Sequence, residues 1–138
     1  DTGSRGLGDV YKRQDEDIVK DRMHLPYQNG REVFKNAVKR MPEAINVALE
    51  HNNLSVDDVS LVVAHQANRR ILEACAERMK LPMEKMYINI QKYGNTTAAT
   101  IPIALCEAIE EGKFSKGDNI ILTAFGAGYT WASAAIKW

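Results

Sequence analysis

"LVVAHQANRRILEACAERM", residues 61–79, sets the fold class. Its first four residues form an unbroken apolar run, which reads as a short strand buried on both faces. Beyond it the period becomes helical: Ile71, Leu72, Cys75 and Met79 share one stripe until Pro82 stops it. A strand that runs into a helix within a few residues is the building unit of a layered α/β protein. His65 stands at the junction, with Gln66, Ala67 and Asn68 behind it. The end of a strand, ahead of the next helix, is where open α/β sheets place ligands and catalytic groups.

Working outward, "REVFKNAVKRMPEAINVALEHNN" (31–53) puts Val33, Phe34, Ala37, Val38, Met41, Ile45, Ala48 and Leu49 near one stripe, after an Asn29-Gly30 turn. This predicts a long amphipathic helix. Pro42 inside it is expected to kink it, or to end one helix and start another, because proline removes a backbone donor and clashes with the preceding turn. An acidic loop follows, "LSVDDVS". Downstream of Pro82, residues 87–90 are expected to be a strand. "NTTAATIPIALCEAIEEG" (95–112) predicts a helix with Asn or Thr as N-cap and a stop at Gly112. "DNIILTAF", "GAG" and "YTWASAAIKW" predict two strands joined by a glycine-rich hairpin. The order helix, strand, helix, strand, helix, strand, strand implies a mixed sheet with helices on both faces and a final antiparallel pair. No internal repeat or low-complexity tract interrupts it.

Composition narrows the function classes. The chain has 138 residues, 45% of them hydrophobic and 26% charged, which fits one globular unit. With 18 basic and 18 acidic side chains the formal charge is zero, so electrostatics gives no argument for nucleic acid or an anionic membrane as partner. Cys75 and Cys106 fit no metal spacing, and His24, His51 and His65 are scattered, so neither a metal nor a disulfide framework is expected. Both cysteines fall on apolar faces of predicted helices and are expected to be small core hydrophobes. No membrane-length apolar run and no secretory pattern is present, which makes the cytoplasm the expected compartment.

"SRGLGDVYKRQ" (4–14) has neither helical nor strand period, and it matches the in-frame translation of a transposase-derived sequencing adapter. Residues 1–14 are therefore expected not to be native, the genuine chain entering mid-gene near Asp15. A basic tail for nucleic acid is the rival reading, with only Arg5, Lys12 and Arg13 to carry it.

The chemistry gathers in three loops: "AHQAN" after a strand, "YGNTTAAT" before a helix, and "AFGAG" between two strands. In such a sheet all three can open on one rim. A histidine and an amide side by side can donate two hydrogen bonds to one carbonyl oxygen, as an enolate forming on a thioester requires, and a glycine hairpin can add a backbone N–H. Each loop also has a plainer reading. A lone histidine at a strand end is more often structural, Asn95 beside Gly94 is more often a turn or cap residue, and "GAG" is no GxGxxG phosphate loop.

Taken together, "HQANRRI", "YGNTTAATIPIALCEA" and "GDNIILTAFGAGYTWASAAIKW", with "GREVFKNAV" upstream, resemble the C-terminal half of β-ketoacyl-acyl carrier protein synthase III over Gly30 to Trp138. The resemblance implies a thiolase-like fold of two similar αβαβα halves, of which this chain is one, truncated at its N-terminus, and a homodimer when full length. It implies an acyltransferase of fatty acid biosynthesis that needs no cofactor and takes acyl-CoA and malonyl-acyl carrier protein as substrates. By position, His65 and Asn95 match the pair that assists decarboxylation, and Ala127 the backbone donor of the oxyanion hole. Asn68 and Phe125 match pantetheine or CoA contacts, and Arg70 the residue implicated in docking the carrier protein. The nucleophilic cysteine of the family belongs to the other half, so none is expected here and the chain alone is expected to be inactive. Two other classes stay open: a related synthase of a quinolone, polyketide starter or long-chain ketone, and a non-catalytic acyl-carrier or CoA binding subunit.

Overall fold

The computed structural model describes residues 19–22 and 28–138. The stretch assigned to adapter translation, 1–14, lies outside the described residues. Two units are distinguished, 1–30 and 31–138. In the first, the Arg22 N–H closes a turn on the Val19 carbonyl at 3.1 Å. The second holds the sheet and its helices.

Helix α1 spans Gly30–His51 and buries Ala37, Met41, Pro42, Ile45 and Leu49. It stays one helix through Pro42, where the sequence predicts a kink or a break. A proline in a helix interior costs about 3 kcal/mol, while fully burying one large apolar side chain contributes about 1.5–3 kcal/mol. Met41 and Ile45, 2% and 0% exposed on either side of the proline, therefore outweigh it. The Arg40–Glu43 ion pair at 2.9 Å spans the same turn.

Strand β1 is Leu61–Ala64, all four residues buried. Its side chains alternate as a strand's must. Val62 and Ala64 join the core built from α1 and the next helix, whereas Leu61 and Val63 join a second core with Ala104 and Ala108. Helix α2, Arg69–Met79, is capped by Asn68, whose Oδ1 accepts the Arg70 N–H. Lys80, at φ 55°, ends it in the left-handed region ahead of Pro82.

Strand β2 is only Met86–Tyr87, shorter than the strand expected over 87–90. The Gln66 amide takes over where a neighbouring strand would have continued: Nε2 donates to the Tyr87 carbonyl at 3.1 Å and Oε1 accepts the Asn89 N–H at 3.1 Å. The chain then turns into a short helix, α3, Ile90–Tyr93.

Helix α4 begins at Thr100 and runs to Glu110, behind a 3-10 turn at Thr97–Ala99, so the helix expected from Asn95 starts late. Thr97 has φ 53°, a conformation no α-helix contains. Gly112, at φ 63°, terminates the helix as expected, with the Lys113 N–H on the Ala108 carbonyl. The buried stripe is Thr100, Ala104 and Ala108. Cys106 projects from the opposite side and is exposed, which corrects the expectation that both cysteines are core residues; only Cys75 is buried.

Strands β3, Asn119–Gly126, and β4, Thr130–Lys137, complete a mixed sheet of order β2-β1-β3-β4. β1 is parallel to β2 and β3, and β4 is antiparallel to β3. α1 and α2 cover one face, α4 the other. No helix among the described residues is long and apolar enough to cross a membrane.

Candidate active site

Because β1, β2 and β3 are parallel, their C-terminal ends open on a single edge. The "HQAN" loop, the segment leading to Asn95 and the "GAG" hairpin all leave from it. His65 extends the ladder one step past β1, its N–H donating to the Thr123 carbonyl at 2.8 Å. That bond fixes the backbone from which the imidazole projects.

The half-buried ring is held by α4. Its Nδ1 lies 2.6 Å from the Thr100 hydroxyl, which itself donates to the Thr97 carbonyl at 3.0 Å. The Thr97 N–H in turn donates to Asn95 Oδ1 at 3.0 Å. His65 and Asn95 are thus joined by consecutive hydrogen bonds through Thr100 and Thr97. A hydroxyl has one proton, so while Thr100 donates to Thr97 it accepts Nδ1–H, and the neutral ring presents Nε2 as an acceptor. Turning that proton toward Nδ1 makes Nε2–H a donor. Burial lowers the His65 pKa below 6.5, which keeps the ring neutral at neutral pH. Asn95 is exposed, and with Oδ1 engaged by Thr97 its Nδ2 protons stay available to a ligand. Beside it, Thr96 Oγ1 is buried without a hydrogen-bond partner among the described residues.

The other residues singled out by sequence are spread along the same edge. Asn68 caps α2 at 2.9 Å through Oδ1, leaving its amide nitrogen to solvent. Arg70 is exposed, with its guanidinium 5.8 Å from the Phe34 ring centroid. Ala127 lies in the exposed hairpin turn, where its carbonyl accepts from Thr130 Oγ1 at 3.0 Å. Gly128 beside it has φ 126°, and a Cβ there would meet Thr130 Cγ2 at 3.0 Å, so the turn needs glycine. Phe125 is 7% exposed and packs into the α1/α2 core, with Tyr129 and Trp131 rings at 5.2 and 6.4 Å. Its side chain is the least available of the set.

Sequence reasoning passed over Thr100, which touches the candidate histidine, and Gln66, Asn89 and Glu107, which tie the loops together. Gln66 had a visible signal, a long polar side chain directly after a buried strand. Glu107 is one of three glutamates closing α4, and nothing in the spacing marks it. Cys75 is no nucleophile in waiting: burial pushes its thiol up to about 12. Among the described residues no group of three His, Cys, Asp or Glu side chains could hold a metal ion.

The sequence model of the C-terminal part of 3-oxoacyl-[acyl-carrier-protein] synthase III matches residues 49–138, about two thirds of the chain. The chain belongs to this family. The β-ketoacyl-[acyl-carrier-protein] synthase III of Roseiflexus sp. (strain RS-1) is 54% identical over 112 residues, which are 81% of this chain and 34% of that protein. The solved synthase III of Aquifex aeolicus VF5 is 51% identical with a TM-score of 0.80, over 81% of this chain and 36% of that one. For the Thermus thermophilus synthase III structure the values are 49%, 0.79, 81% and 35%. The fold is therefore a thiolase-like α/β half, and the chain spans about a third of the length of these synthase III relatives.

Proposed function

We propose that the chain is the C-terminal part of a decarboxylating condensing enzyme, an acyltransferase that joins an acyl-CoA starter to malonyl-acyl carrier protein in fatty acid biosynthesis. The observation that carries this reading is the hydrogen-bonded connection of His65 and Asn95 through Thr100 and Thr97, at the strand-end edge of a synthase III family member.

In the reaction, the bond between the malonyl Cα and its carboxylate breaks and carbon dioxide leaves. The electron pair moves onto the thioester oxygen as an enolate, where His65 Nε2–H and Asn95 Nδ2–H donate to it. The enolate carbon then attacks the acyl group held as a thioester on a cysteine of the other half; the carbon–carbon bond forms and the cysteine leaves as thiolate. For this the Thr100 hydroxyl gives up its bond to the Thr97 carbonyl and turns its proton toward Nδ1, so that the neutral histidine carries Nε2–H, while the Thr97 N–H stays on Asn95 Oδ1. Donors fixed before reaction, in a site closed to water, stabilise the developing charge without reorganisation.

Asn68 and Phe125 contact the pantetheine arm, Phe125 after its ring leaves the packing seen here. Ala127 supplies a backbone N–H to the acyl oxyanion, and Arg70 meets the acidic carrier protein. The full enzyme is a cytoplasmic homodimer. Helix α4 supports a covering partner half, because its outer side carries exposed Pro102, Cys106 and Ile109. A helix apolar around most of its circumference belongs inside a larger protein. With neither Cys75 nor Cys106 at the start of a helix, the chain alone does not turn over.

The test is made in the full-length enzyme. His65→Ala and Asn95→Ala are each expected to slow malonyl-thioester decarboxylation about 100-fold or more, with acylation of the cysteine by acyl-CoA intact. Loss of acylation with decarboxylation preserved would overturn the assignment.

A further inference from the structure

Four side chains converge on Glu107. Its Oε2 accepts from Asn89 Nδ2 at 2.8 Å and from the Tyr87 hydroxyl at 3.2 Å. Its Oε1 accepts from Lys92 Nζ at 2.6 Å and from the Tyr93 hydroxyl at 3.1 Å. The side chain is 14% exposed, little for a glutamate near the end of a helix, and the Lys92 and Asn89 hydrogen bonds hold its carboxyl down to about 2. All four donors belong to the segment 87–93, which ends directly before Gly94-Asn95.

The same segment is gripped from its other side. Asn89 also gives its backbone N–H to Gln66, and Gln66, 1% exposed, donates to the Ala64 carbonyl at 2.9 Å and the Tyr87 carbonyl at 3.1 Å. Gln66 is the neighbour of His65, and Tyr93 is two residues before Asn95. One continuous polar network therefore runs from the histidine loop, through Gln66, Asn89 and Glu107, to the helical turn that delivers the asparagine. Gly94, at φ 69°, is a joint with no side chain to brace it, so the placement of Asn95 depends on what anchors Lys92 and Tyr93. Gln66 and Asn89, the buried members, have their polar atoms paired, and satisfied hydrogen bonds of that kind fix one geometry.

We propose that Glu107 and Gln66 are positioning residues, holding the loops of His65 and Asn95 at the separation that lets both side chains donate to one thioester oxygen. The inference rests on the assignment of that pair made above, and it gives the pair's spacing a cause outside the site itself. Neither residue touches the reacting atoms.

The experiment uses the full-length enzyme and separates its two half-reactions. Glu107→Gln keeps the shape and removes the charge. It is expected to lower the rate constant of malonyl-thioester decarboxylation about 10- to 100-fold, the cost of misplacing a catalytic group by about an ångström, with KM and cysteine acylation unchanged. Lys92→Met should reproduce the loss, and Lys92→Arg should restore most of the rate. In an Asn95→Ala background Glu107→Gln should cost much less than in the parent enzyme, leaving only what it contributes through the histidine loop. Equal loss of both half-reactions, or an undiminished loss in the Asn95→Ala background, would show a general structural role and overturn the proposal. If His65→Ala and Asn95→Ala both leave decarboxylation intact, the assignment of the pair is what fails. The positioning claim is then judged on the Asn95 side-chain amide resonances: displacement by Glu107→Gln upholds the coupling, and unchanged resonances end it.

Discussion

Cys75 and Cys106 carry the same thiol in opposite surroundings. Cys75 sits 1% exposed between α2 and α1, its Sγ 3.9 Å from the Ala37 carbonyl, and its pKa is pushed to about 12. Cys106 is exposed on α4. In the folded chain an aromatic disulfide reagent should titrate Cys106 at once and Cys75 only on unfolding, because the thiolate is the reactive form; two fast thiols would contradict the packing of α2 on α1. The sequence marks both as apolar-face residues, since "ALCEAIE" is apolar around most of its circumference and its glutamates, Glu107 and Glu110, do not say which of the remaining sides turns inward. At His65 the reading goes further, because a strand end and a helix start are both written locally. Its partner Thr100 is 35 positions away and becomes visible only once α4 is laid on the sheet.

At the scale of elements, β1 is legible to the residue because a four-residue apolar run has no other use here, and α2 because its apolar stripe and the terminating Pro82 agree; its Asn68 cap shows only in the structure. Pro42 misleads, since propensity is a local quantity and the burial that overrides it is not. β2 is misjudged in length for a related reason, as Gln66 ends it from another loop. The junction of α3 and α4 depends on Glu107, and acid should reveal that. Its carboxyl is lowered from the ordinary 4.5 to about 2 in the fold, by Lys92 first and by Asn89 and Tyr93. Tyr87 and Glu111 also face this cluster. The unfolded chain therefore takes up the proton first as pH falls. The contribution is complete above 4.5 and is lost on approach to 2. Denaturant titrations over that range should show stability falling with pH, less steeply in Glu107→Gln; equal slopes would mean that the carboxylate is not coupled to the fold.

For the molecule as a whole, the two-sided sheet explains why a short chain can build two cores, and the order of elements in the sequence is enough to anticipate it. Two surfaces are left uncovered among the described residues. One is the apolar outer side of α4. The other is β4, eight residues long, paired on one side only among the described residues and exposing Trp131; such an edge invites pairing with a further strand. The chain covers about a third of the length of its synthase III relatives, and the proposed nucleophile belongs to the other half of such an enzyme. The decisive measurement is to recover and read the source DNA upstream of the codon for Asp15. An in-frame continuation that encodes a second αβαβα half with a cysteine at the start of a helix is the expected result. A start codon near Asp15, or an upstream half without that cysteine, would contradict the condensing enzyme and leave His65 and Asn95 in a protein that binds acyl carriers without joining them.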